Sequence, residues 1–521
     1  MNDVNATNGG TDGGFVFRKV VTSAEDKRVQ IQNDGTLQFH LYPLHGGSIV
    51  TVNSSDPISL NEWTHIACTV IDGSTNNTVK VYINGIEKGS ALWNSTPRNN
   101  SGSVQIGGSA SSFFEGQIDE VKVFNTARSQ AQIQADMYAT NPAHPNLVAY
   151  WSFDDDLTAG NQTTAADGSV NNNEGTLTNN PLWAHRVINS DNAGEGSLRA
   201  AIDITNTDTD KDYIDFSIPG GGVQTITPSS ALPEISETVI IDGYSQPDSS
   251  PNTLNVGNDA VLNIQLDGGS VGAVNGLAIS AENSEVYGLI VHSFNGGAQG
   301  IGISGSGNTI AGCQIGLDAT GNTNADNNLR NTHGIRVNTS NHTIGLPTPA
   351  GRNTIAGNKF NGIQVQGGAD ITNLTIQNNY LGTSPDGLTL IGGGTIRLIG
   401  SSTSLIGGTT ALERNVAASG ISMSGSATGG HQIFGNYIGV GPDGTTILGT
   451  GAGVGILFQG TDLNDMQIGG LNAGEANIIA NRANGILLTA GTTSTGNSIR
   501  GNSIYGNTIG IDLGTAGADT N

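Results

Sequence analysis

Apolar residues in the second half of the chain recur in a four-residue phrase: Gly, an apolar residue, any residue, a second apolar residue. The first apolar positions of its nine copies are 277, 301, 335, 363, 396, 421, 456, 486 and 511, so eight steps cover 234 residues, about 29 each. Two apolar residues two positions apart lie on one face of a strand. A unit this short cannot bury that face alone, so the pattern predicts the stacked coils of a β-solenoid.

The residues between these phrases are mostly Gly, Asn, Thr and Ser, which excludes helical repeats of similar length. Gly and Asn tolerate left-handed backbone conformations, so their pairs predict tight corners. An Asp-containing turn recurs at the same position of the repeat, at Asp318, Asp386 and Asp443. The spacing of these turns predicts that they recur on every second coil and line one side of the solenoid.

Phrases such as Arg352-Asn353-Thr354-Ile355-Ala356-Gly357-Asn358 and Gly435-Asn436-Tyr437-Ile438-Gly439 resemble the right-handed parallel β-helix repeats of large bacterial surface proteins. These proteins belong to the pectate-lyase-like superfamily, and the resemblance covers roughly residues 255–521. It implies a fold but little about function, because that superfamily includes lyases, hydrolases, adhesins and passive stalks.

Residues 14–183 show short alternating strands separated by Asp-Gly and Asn-Gly turns, which predict an antiparallel two-sheet sandwich. Three segments, 60–67, 81–85 and 114–124, occur in an order that resembles laminin-G-like, concanavalin A-like jelly rolls. That resemblance implies binding of glycans or proteins through loops at one rim, often with a calcium ion.

The resemblance makes three acidic residues candidate calcium ligands: Asp119, Asp154 and Asp167. Calcium prefers several carboxylate and carbonyl oxygens on a turn, and Asp167 opens an Asn-rich turn. The alternative is that Asp119 and Asp167 only accept hydrogen bonds from turn amides. We expect Trp63 and Trp151 to be core residues and not sugar-stacking platforms.

Members of the laminin-G-like family open with a strand or two before the segment that matches Phe15-Val16-Phe17-Arg18-Lys19, and this chain lacks them. An uncovered sheet edge would promote aggregation. We therefore expect residues 147–153 and 175–178 to supply covering strands within the same chain. The alternative is a strand donated by a neighbouring molecule.

Residues 184–255 form the predicted N-terminal cap of the β-helix. Ser197 is placed as the N-cap of a short helix whose Leu198 and Ile202 lie one turn apart. The predicted domains are thus a jelly roll at 14–183, a linker and cap at 184–255, and a β-helix of about nine coils at 256–521. Because no capping element follows Ile511, we expect the natural protein to continue or this end to pack on a partner.

Composition limits the possible partners. The chain has 20 basic and 44 acidic residues and a net charge of −24, which disfavours binding to nucleic acid or to an anionic membrane. No run of 18 apolar residues exists, so the sequence predicts no membrane span. Cys68 and Cys313 fall in different predicted domains, so we expect two buried, unpaired thiols.

A catalytic site is weakly indicated. Lys359 with Arg336 or Arg397 on adjacent coils could imitate the basic pair of a lyase, whereas a solvated surface charge is the simpler interpretation. The histidines show no metal-ligand spacing, and no phosphate-binding Gly-rich loop precedes a helix.

The fold class expected from the sequence is all-β: an antiparallel jelly-roll sandwich, a short capping helix and a right-handed parallel β-helix. We expect a non-catalytic, adhesin-like protein, secreted or on a bacterial cell surface, with the jelly roll binding glycan or protein and the β-helix as a rigid stalk. One alternative is a self-assembling extracellular fibre subunit, with self-association through the sandwich edge and the open coil. The other is a polysaccharide lyase or hydrolase whose jelly roll is a carbohydrate-binding module.

Overall fold

The computed structural model describes residues 15–21, 24–44, 46–58, 64–109, 112–114, 116–137, 141–153, 164–178, 184–207, 211–323, 329–401, 403–424, 429–449, 451–459, 463–489 and 495–514. The chain divides into two compact units, Met1–Leu157 with Gln162–Pro181, and Thr158–Asn161 with Leu182–Asn521. The fold is all-β, antiparallel in the first unit and parallel in the second. The three-part division at residues 14–183, 184–255 and 256–521 stays a prediction.

The first unit contains one helix and fourteen described strands. They are β1 (Phe15–Val21), β2 (Ala24–Ile31), β3 (Thr36–Leu41), β4 (Val50–Pro57), β5 (Ile66–Ile71), β6 (Asn77–Ile83), β7 (Ile86–Trp93), β8 (Ser103–Ile106), β9 (Gly108–Ser109), β10 (Ser112–Phe113), β11 (Val121–Phe124), α1 (Gln130–Asp136), β12 (Leu147–Trp151), β13 (Thr164–Ala165) and β14 (Gly175–Thr176).

Two antiparallel sheets of the first unit form the predicted sandwich. One has the order β4-β3-β2-β1-β8 and the other β5-β6-β7. Residues of alternate positions, such as Val29 and Ile31 of β2 and Val79 and Val81 of β6, join one buried cluster between the sheets. The polar residues between them therefore face outward.

The expectation that residues 147–153 and 175–178 cover a sheet edge at Phe15 is wrong. Strand β1 lies between β2 and β8, because Phe17 pairs with Ile106 and Val20 with Ser103. The segments expected to cover it pair elsewhere: β12 with β11, and β14 with β13. Trp151 of β12 is buried as expected, whereas Trp63 lies outside the described residues.

Helix α1 was not anticipated, although its start carries a sequence signal. Ser129 and Gln132 form a reciprocal capping box, with Gln132 N donating to Ser129 Oγ and Ser129 N donating to Gln132 Oε1. This arrangement satisfies two amides that a helix start leaves unpaired.

The second unit contains three parallel sheets. The first comprises β15 (Ala184–Val187), β16 (Asp212–Phe216), β18 (Val239–Asp242), β21 (Glu285–Tyr287), β24 (Thr309–Ala311), β27 (Thr343–Ile344), β30 (Thr375–Ile376), β33 (Leu405–Gly407), β36 (Gln432–Phe434), β39 (Gln467–Ile468) and β42 (Ser498–Ile499). The second comprises β17 (Gln224–Ile226), β19 (Ile264–Asp267), β22 (Leu289–His292), β25 (Gln314–Ile315), β28 (Asn353–Ile355), β31 (Asn379–Leu381), β34 (Val416–Ala417), β37 (Tyr437–Ile438), β40 (Ile478–Ala480) and β43 (Ser503–Tyr505). The third comprises β20 (Leu277–Ile279), β23 (Gln299–Ile303), β26 (His333–Val337), β29 (Asn361–Ile371), β32 (Thr395–Ser401), β35 (Ile421–Ser424), β38 (Val454–Gln459), β41 (Asn484–Leu488) and β44 (Ile509–Asp512).

The repeated phrase of the sequence builds the third sheet. Its first apolar residues pair one above another from Leu277 through Ile301 and onward to Ile511, as the spacing predicted. Those from Leu277 to Ile486 are fully buried, and each such side chain stabilises the stack by roughly 1.5–3 kcal/mol. The parallel β-helix fold is thereby confirmed.

The capping helix is also confirmed. Helix α2 (Leu198–Thr205) begins at Ser197, whose Oγ accepts a hydrogen bond from Ala200 N at 3.2 Å. Leu198 and Ile202 join the buried cluster that runs through the coils. Short 3-10 turns occur at Gly243–Ser245 and Pro349–Gly351. No described helix is both long enough and apolar enough to span a membrane.

A ladder of buried asparagine side chains links successive coils at one corner. Nδ2 of each residue donates to Oδ1 of the next at 2.8–3.0 Å, along Asn353, Asn379, Asn415, Asn436, Asn477 and Asn502. The second Nδ2 proton goes to a backbone carbonyl, as from Asn415 to Ile376 O at 2.8 Å. Each carboxamide thus supplies the donors and acceptors that a buried corner needs.

The Asp-containing turns occupy every second coil, as predicted, since they follow strands β25, β31 and β37 of the second sheet. Consecutive turns touch one another. A Cβ built on Gly321 would lie 3.4 Å from Pro385 Cδ, and one on Gly387 would lie 3.0 Å from Pro442 Cδ. Glycine is needed at both positions, where φ is also positive.

His342 occupies a comparable corner position between β26 and β27. Its side chain is 1% exposed; Nδ1 accepts from Asn308 N at 3.2 Å, and Nε2 lies 3.0 Å from Thr339 Oγ1. Burial lowers its pKa to about 4 from 6.5. The neutral form is therefore bound into the fold.

We expect His342 to make the chain acid-labile. His342 binds a proton below pH 6.5 in the unfolded state but only below about pH 4 in the folded state. Its contribution to the free energy of unfolding is therefore complete above pH 6.5 and is lost as the pH falls from 6.5 to about 4. Between pH 7 and pH 5 the loss is about 2 kcal/mol.

Urea unfolding midpoints at the two pH values test this expectation. His342→Asn is the matched variant, because Asn308 already accepts a backbone amide, Ser284 N, at the corresponding corner. Its midpoint should fall less between pH 7 and pH 5 than that of the wild type. Equal falls would contradict the assignment.

Candidate functional site

The outward side of the five-stranded sheet carries a continuous set of polar side chains, which we call the polar face. Alternation along the strands directs them away from the buried cluster. The polar face consists of Arg18, Arg28, Gln30, Gln32, Gln38, His40, Thr51, Asn53 and Gln105, and the buried ring of Phe15 lies beside its two arginines.

Gln38 is the centre of the hydrogen-bond network on the polar face. Its Oε1 accepts from Gln30 Nε2 at 2.9 Å and from Gln32 Nε2 at 2.7 Å, and it also contacts His40 Nε2. Its Nε2 donates to Asn53 Oδ1 at 2.8 Å. The side chains are thereby held in fixed orientations before any ligand arrives.

His40 extends this network to the exposed strand β4. Nε2 of His40 donates to Gln38 Oε1, and Nδ1 of His40 therefore accepts from Thr51 Oγ1 at 3.0 Å. Thr51 and Asn53 are both exposed, so a hydroxyl oxygen and a carboxamide lie at the surface beside the half-buried imidazole of His40.

Two arginines enclose Phe15 at the other side of the polar face. The Cζ atoms of Arg18 and Arg28 lie 5.5 and 5.2 Å from the ring centre. Both also form ion pairs with Glu25, at 3.7 and 3.5 Å. Arg18 Nε donates to Gln105 Oε1 at 2.5 Å, so the guanidinium positions are fixed.

Glu25 itself is anchored by Tyr42, whose hydroxyl donates to Oε2 at 2.6 Å. Burial and this bond to a carboxylate raise the pKa of Tyr42 to about 12. Glu25 thus offsets one of the two arginine charges, which makes the polar face less attractive to strong anions and better suited to neutral, hydroxyl-rich ligands. The sequence carried a signal for this face in the alternating glutamines of Val29-Gln30-Ile31-Gln32, which indicated a strand but no site.

The predicted calcium ligand Asp167 is occupied by its own turn. Oδ1 accepts from Tyr150 N and Ser169 N, both at 2.8 Å, and Oδ2 accepts from Ser169 Oγ at 2.9 Å and Asn173 N at 2.6 Å. Burial alone would raise its pKa, but these hydrogen bonds outweigh burial and lower the pKa. The turn-forming alternative accounts for both carboxylate oxygens.

Asp119 lies exposed at the other end of Tyr150. Its Oδ1 accepts from Glu120 N at 2.8 Å, and Glu120 Oε1 accepts from the Tyr150 hydroxyl at 2.5 Å. Asp154 lies outside the described residues. Within the part of the chain that the structure describes, no three His, Cys, Asp or Glu side chains form a group suited to a metal ion. Calcium at Asp119, Asp154 and Asp167 stays a prediction.

We expect Asp167→Asn to lower stability by about 1.5–3 kcal/mol near pH 7, because a carboxylate that accepts four hydrogen bonds loses its charge and an acceptor. Thermal unfolding with EDTA and with added calcium separates the two roles. If the turn alone uses Asp167, neither addition shifts the wild-type midpoint.

The matched control is Asp119→Asn, since Asp119 is exposed and its Oδ1 accepts from the adjacent Glu120 N. It should leave the midpoint nearly unchanged. A wild-type midpoint that falls in EDTA, with both variants insensitive to EDTA, would instead establish the calcium site.

A second polar surface lies on the third parallel sheet. Arg336 of β26 and Arg397 of β32 stand in register with Gln364 of β29 between them, two strand spacings or about 10 Å apart. Arg397 is exposed, and Nε of Arg336 receives no hydrogen-bond partner from the described residues. This arrangement could hold an anionic group.

His333 and Phe360 border these arginines. Burial, followed by the charges of Arg336 and Arg397, lowers the pKa of His333 to about 4, so the ring is neutral at physiological pH. Phe360 is 58% exposed with its ring centre 5.9 Å from that of His333, and Lys359 Nζ lies 5.8 Å from the Phe360 ring centre. Lys359 is thus placed against an aromatic ring beside the arginines.

Both cysteines are unpaired, as expected. Cys313 is buried, and burial raises the pKa of its thiol to about 12. It is therefore a packing residue and not a nucleophile.

The class of the first unit is supported by a family comparison. Residues 4–134 match the family model of the concanavalin A-like lectin/glucanases superfamily. This match supports the jelly-roll resemblance, whereas no pectate-lyase family model matches the parallel β-helix. None of the curated proteins with which the chain was compared matches it.

Two solved structures are similar in part. One is a proposed carbohydrate-binding protein from Bacteroides ovatus, which is 21% identical in sequence. The alignment covers 32% of this chain and 49% of that protein, with a TM-score of 0.25. The other is an S-layer domain-containing protein from Clostridium thermocellum, with 20% identity, coverages of 26% and 67%, and a TM-score of 0.13. The chain spans about half the length of the first of these.

Proposed function

We propose that this chain is a non-catalytic, glycan-binding protein of the bacterial cell surface, with the jelly roll as its binding unit and the β-helix as a rigid stalk. The observation that carries the proposal is the match of residues 4–134 to a superfamily of lectins and glucanases. The polar face on the same unit supplies chemistry suited to that role.

Sugar hydroxyls both donate and accept, so a binding surface needs fixed groups of both kinds. The exposed pair Thr51 and Asn53, tied through His40 and Gln38, offers them side by side. Because the network is already formed, little side-chain freedom is lost when a ligand binds. The partial offset of the Arg18 and Arg28 charges by Glu25 supports a neutral glycan as the ligand.

The second unit supports the stalk role. Inward stacking of apolar residues and the asparagine ladder connect each coil to the next along the third and second sheets. Such stacked repeats propagate rigidity along one axis. The net charge of −24 supports neutral or cationic partners over nucleic acid.

A second candidate function is cleavage of an acidic polysaccharide, with the jelly roll as a carbohydrate-binding module. The observation that favours it is the grouping of Arg336, Arg397 and neutral His333 on one outward surface. Arginines would neutralise a uronate carboxylate there, and an unprotonated group would accept a proton.

The test is binding of the full chain to an array of neutral and acidic oligosaccharides from bacterial and plant walls, followed by affinity measurement on the best glycan. We expect Asn53→Ala and His40→Ala to weaken binding at least about tenfold, equivalent to about 1.4 kcal/mol. Lys80→Ala, on the three-stranded sheet, is the matched control and should bind as the wild type does.

Mass spectrometry of the recovered glycan completes the test. An intact glycan supports the non-catalytic role, whereas shortened products lost in Arg336→Gln would establish the second candidate. Binding that survives both polar-face substitutions, or an array without any bound glycan, would contradict the proposal.

A further inference from the structure

Three side chains from separate segments of the first unit, Lys19, Asp26 and Asn99, lie close together. Lys19 Nζ donates to Asn99 Oδ1 at 3.0 Å and lies 3.7 Å from Asp26 Oδ2. Lys19 belongs to β1, Asp26 to its neighbour β2, and Asn99 precedes β8, the other neighbour of β1. An amine, a carboxamide and a carboxylate are thus brought together from three separate segments.

Asp26 is unusual among the described acids of this unit. It is 0% exposed, and its Oδ2 accepts from Asn100 N at 2.8 Å. Its Oδ1 has no hydrogen-bond partner among the described residues. A buried carboxylate with an unsatisfied oxygen is costly.

Lys19 also differs from the other lysines in described ion pairs. Four of them contact exposed or half-buried carboxylates at 2.6–2.7 Å: Lys80, Lys88, Lys122 and Lys211. Lys19 stays 3.7 Å from its carboxylate because its Nζ is directed at the Asn99 amide. The amine is therefore held at the Asn99 carboxamide, with the Asp26 carboxylate as its other polar neighbour.

We infer that Lys19 and Asn99 form an intramolecular amide cross-link, with Asp26 carrying the proton between them. The reaction needs no other reactant, since the attacking amine and the leaving amide nitrogen both belong to the chain. It is independent of the glycan-binding proposal.

The reaction conserves atoms and charge. The Lys19 ammonium passes one proton to Asp26, and the lone pair of the neutral amine forms a bond to Cγ of Asn99. A proton from this nitrogen, relayed by Asp26, reaches the Asn99 amide nitrogen, whose bond to Cγ breaks. Ammonia leaves and takes up the remaining proton from Asp26, so an ammonium ion and an amide are formed and Asp26 regains its charge.

The cross-link would join the first described strand to the segment that leads into the strand beside it. Lys19 pairs with Val104 and Lys27, so β1 is already held by β8 and β2 through hydrogen bonds. A covalent bond at Asn99 would prevent β1 from being pulled away from β8. Asn99 is exposed, so ammonia can leave directly into solvent.

Intact-mass spectrometry of the denatured full chain tests this inference. The expected mass is lower than the sequence mass by one ammonia, and proteolysis should release a branched peptide joining Lys19 to Asn99. A chain with the full sequence mass after prolonged incubation would overturn the inference.

Three variants exclude other losses of ammonia, such as succinimide formation. Lys19→Arg, Asn99→Ala and Asp26→Asn should each keep the mass calculated from their own sequence, whereas Lys27→Arg should lose ammonia as the wild type does. A loss that persists in Lys19→Arg would overturn the cross-link. Because the mass of the wild type is read directly, the outcome does not depend on whether the variants fold.

Discussion

The β-helix depends on satisfying the buried polar groups at its corners, which lie between the hydrogen-bonded strands of its three sheets. Inward Ile and Val residues supply the burial, but each coil must also turn sharply, and every corner leaves amides and carbonyls out of reach of water. The asparagine ladder from Asn353 to Asn502 meets this need, because one carboxamide accepts from the coil behind and donates to the coil ahead. His342 serves the same purpose elsewhere with a ring that must stay neutral.

The contrast between the two units follows from this constraint. In the β-helix the buried corner groups, namely the asparagine ladder and His342, make hydrogen bonds within the fold and hold coils together. In the sandwich the corners lie at the rim and alternation leaves one complete sheet surface polar, as at Gln38 and His40. Gln38 and His40 in turn hold the exposed Thr51 and Asn53 in place, which is the condition for binding a hydroxyl-rich ligand without a large entropic cost.

Prediction from the sequence succeeded where the pattern is local or repeats. The nine phrases from Leu277 to Ile511, the N-cap Ser197 and the alternate-coil turns were all predictable, since each depends on neighbours in sequence or on one fixed period. The partner of β1 was not, because the pairing of Phe17 with Ile106 joins distant segments and no local signal specifies it.

The same reason applies to the candidate site. The polar face becomes visible only when β1 to β4 and β8 are set side by side, whereas Asp167 was found from its turn but assigned to calcium by resemblance. Its four hydrogen bonds come from Tyr150, Ser169 and Asn173, which the fold brings around it.

Hydrogen exchange of individual amides in the full chain tests the account most directly. The backbone N–H groups of Asn379, Asn415, Asn436 and Asn477 each donate to the asparagine Oδ1 of the next coil. The account predicts that they exchange as slowly as the buried strand amides beside them. Exchange as fast as that of Thr445 N, which is bonded only within an exposed turn, would show that the ladder does not hold the coils together.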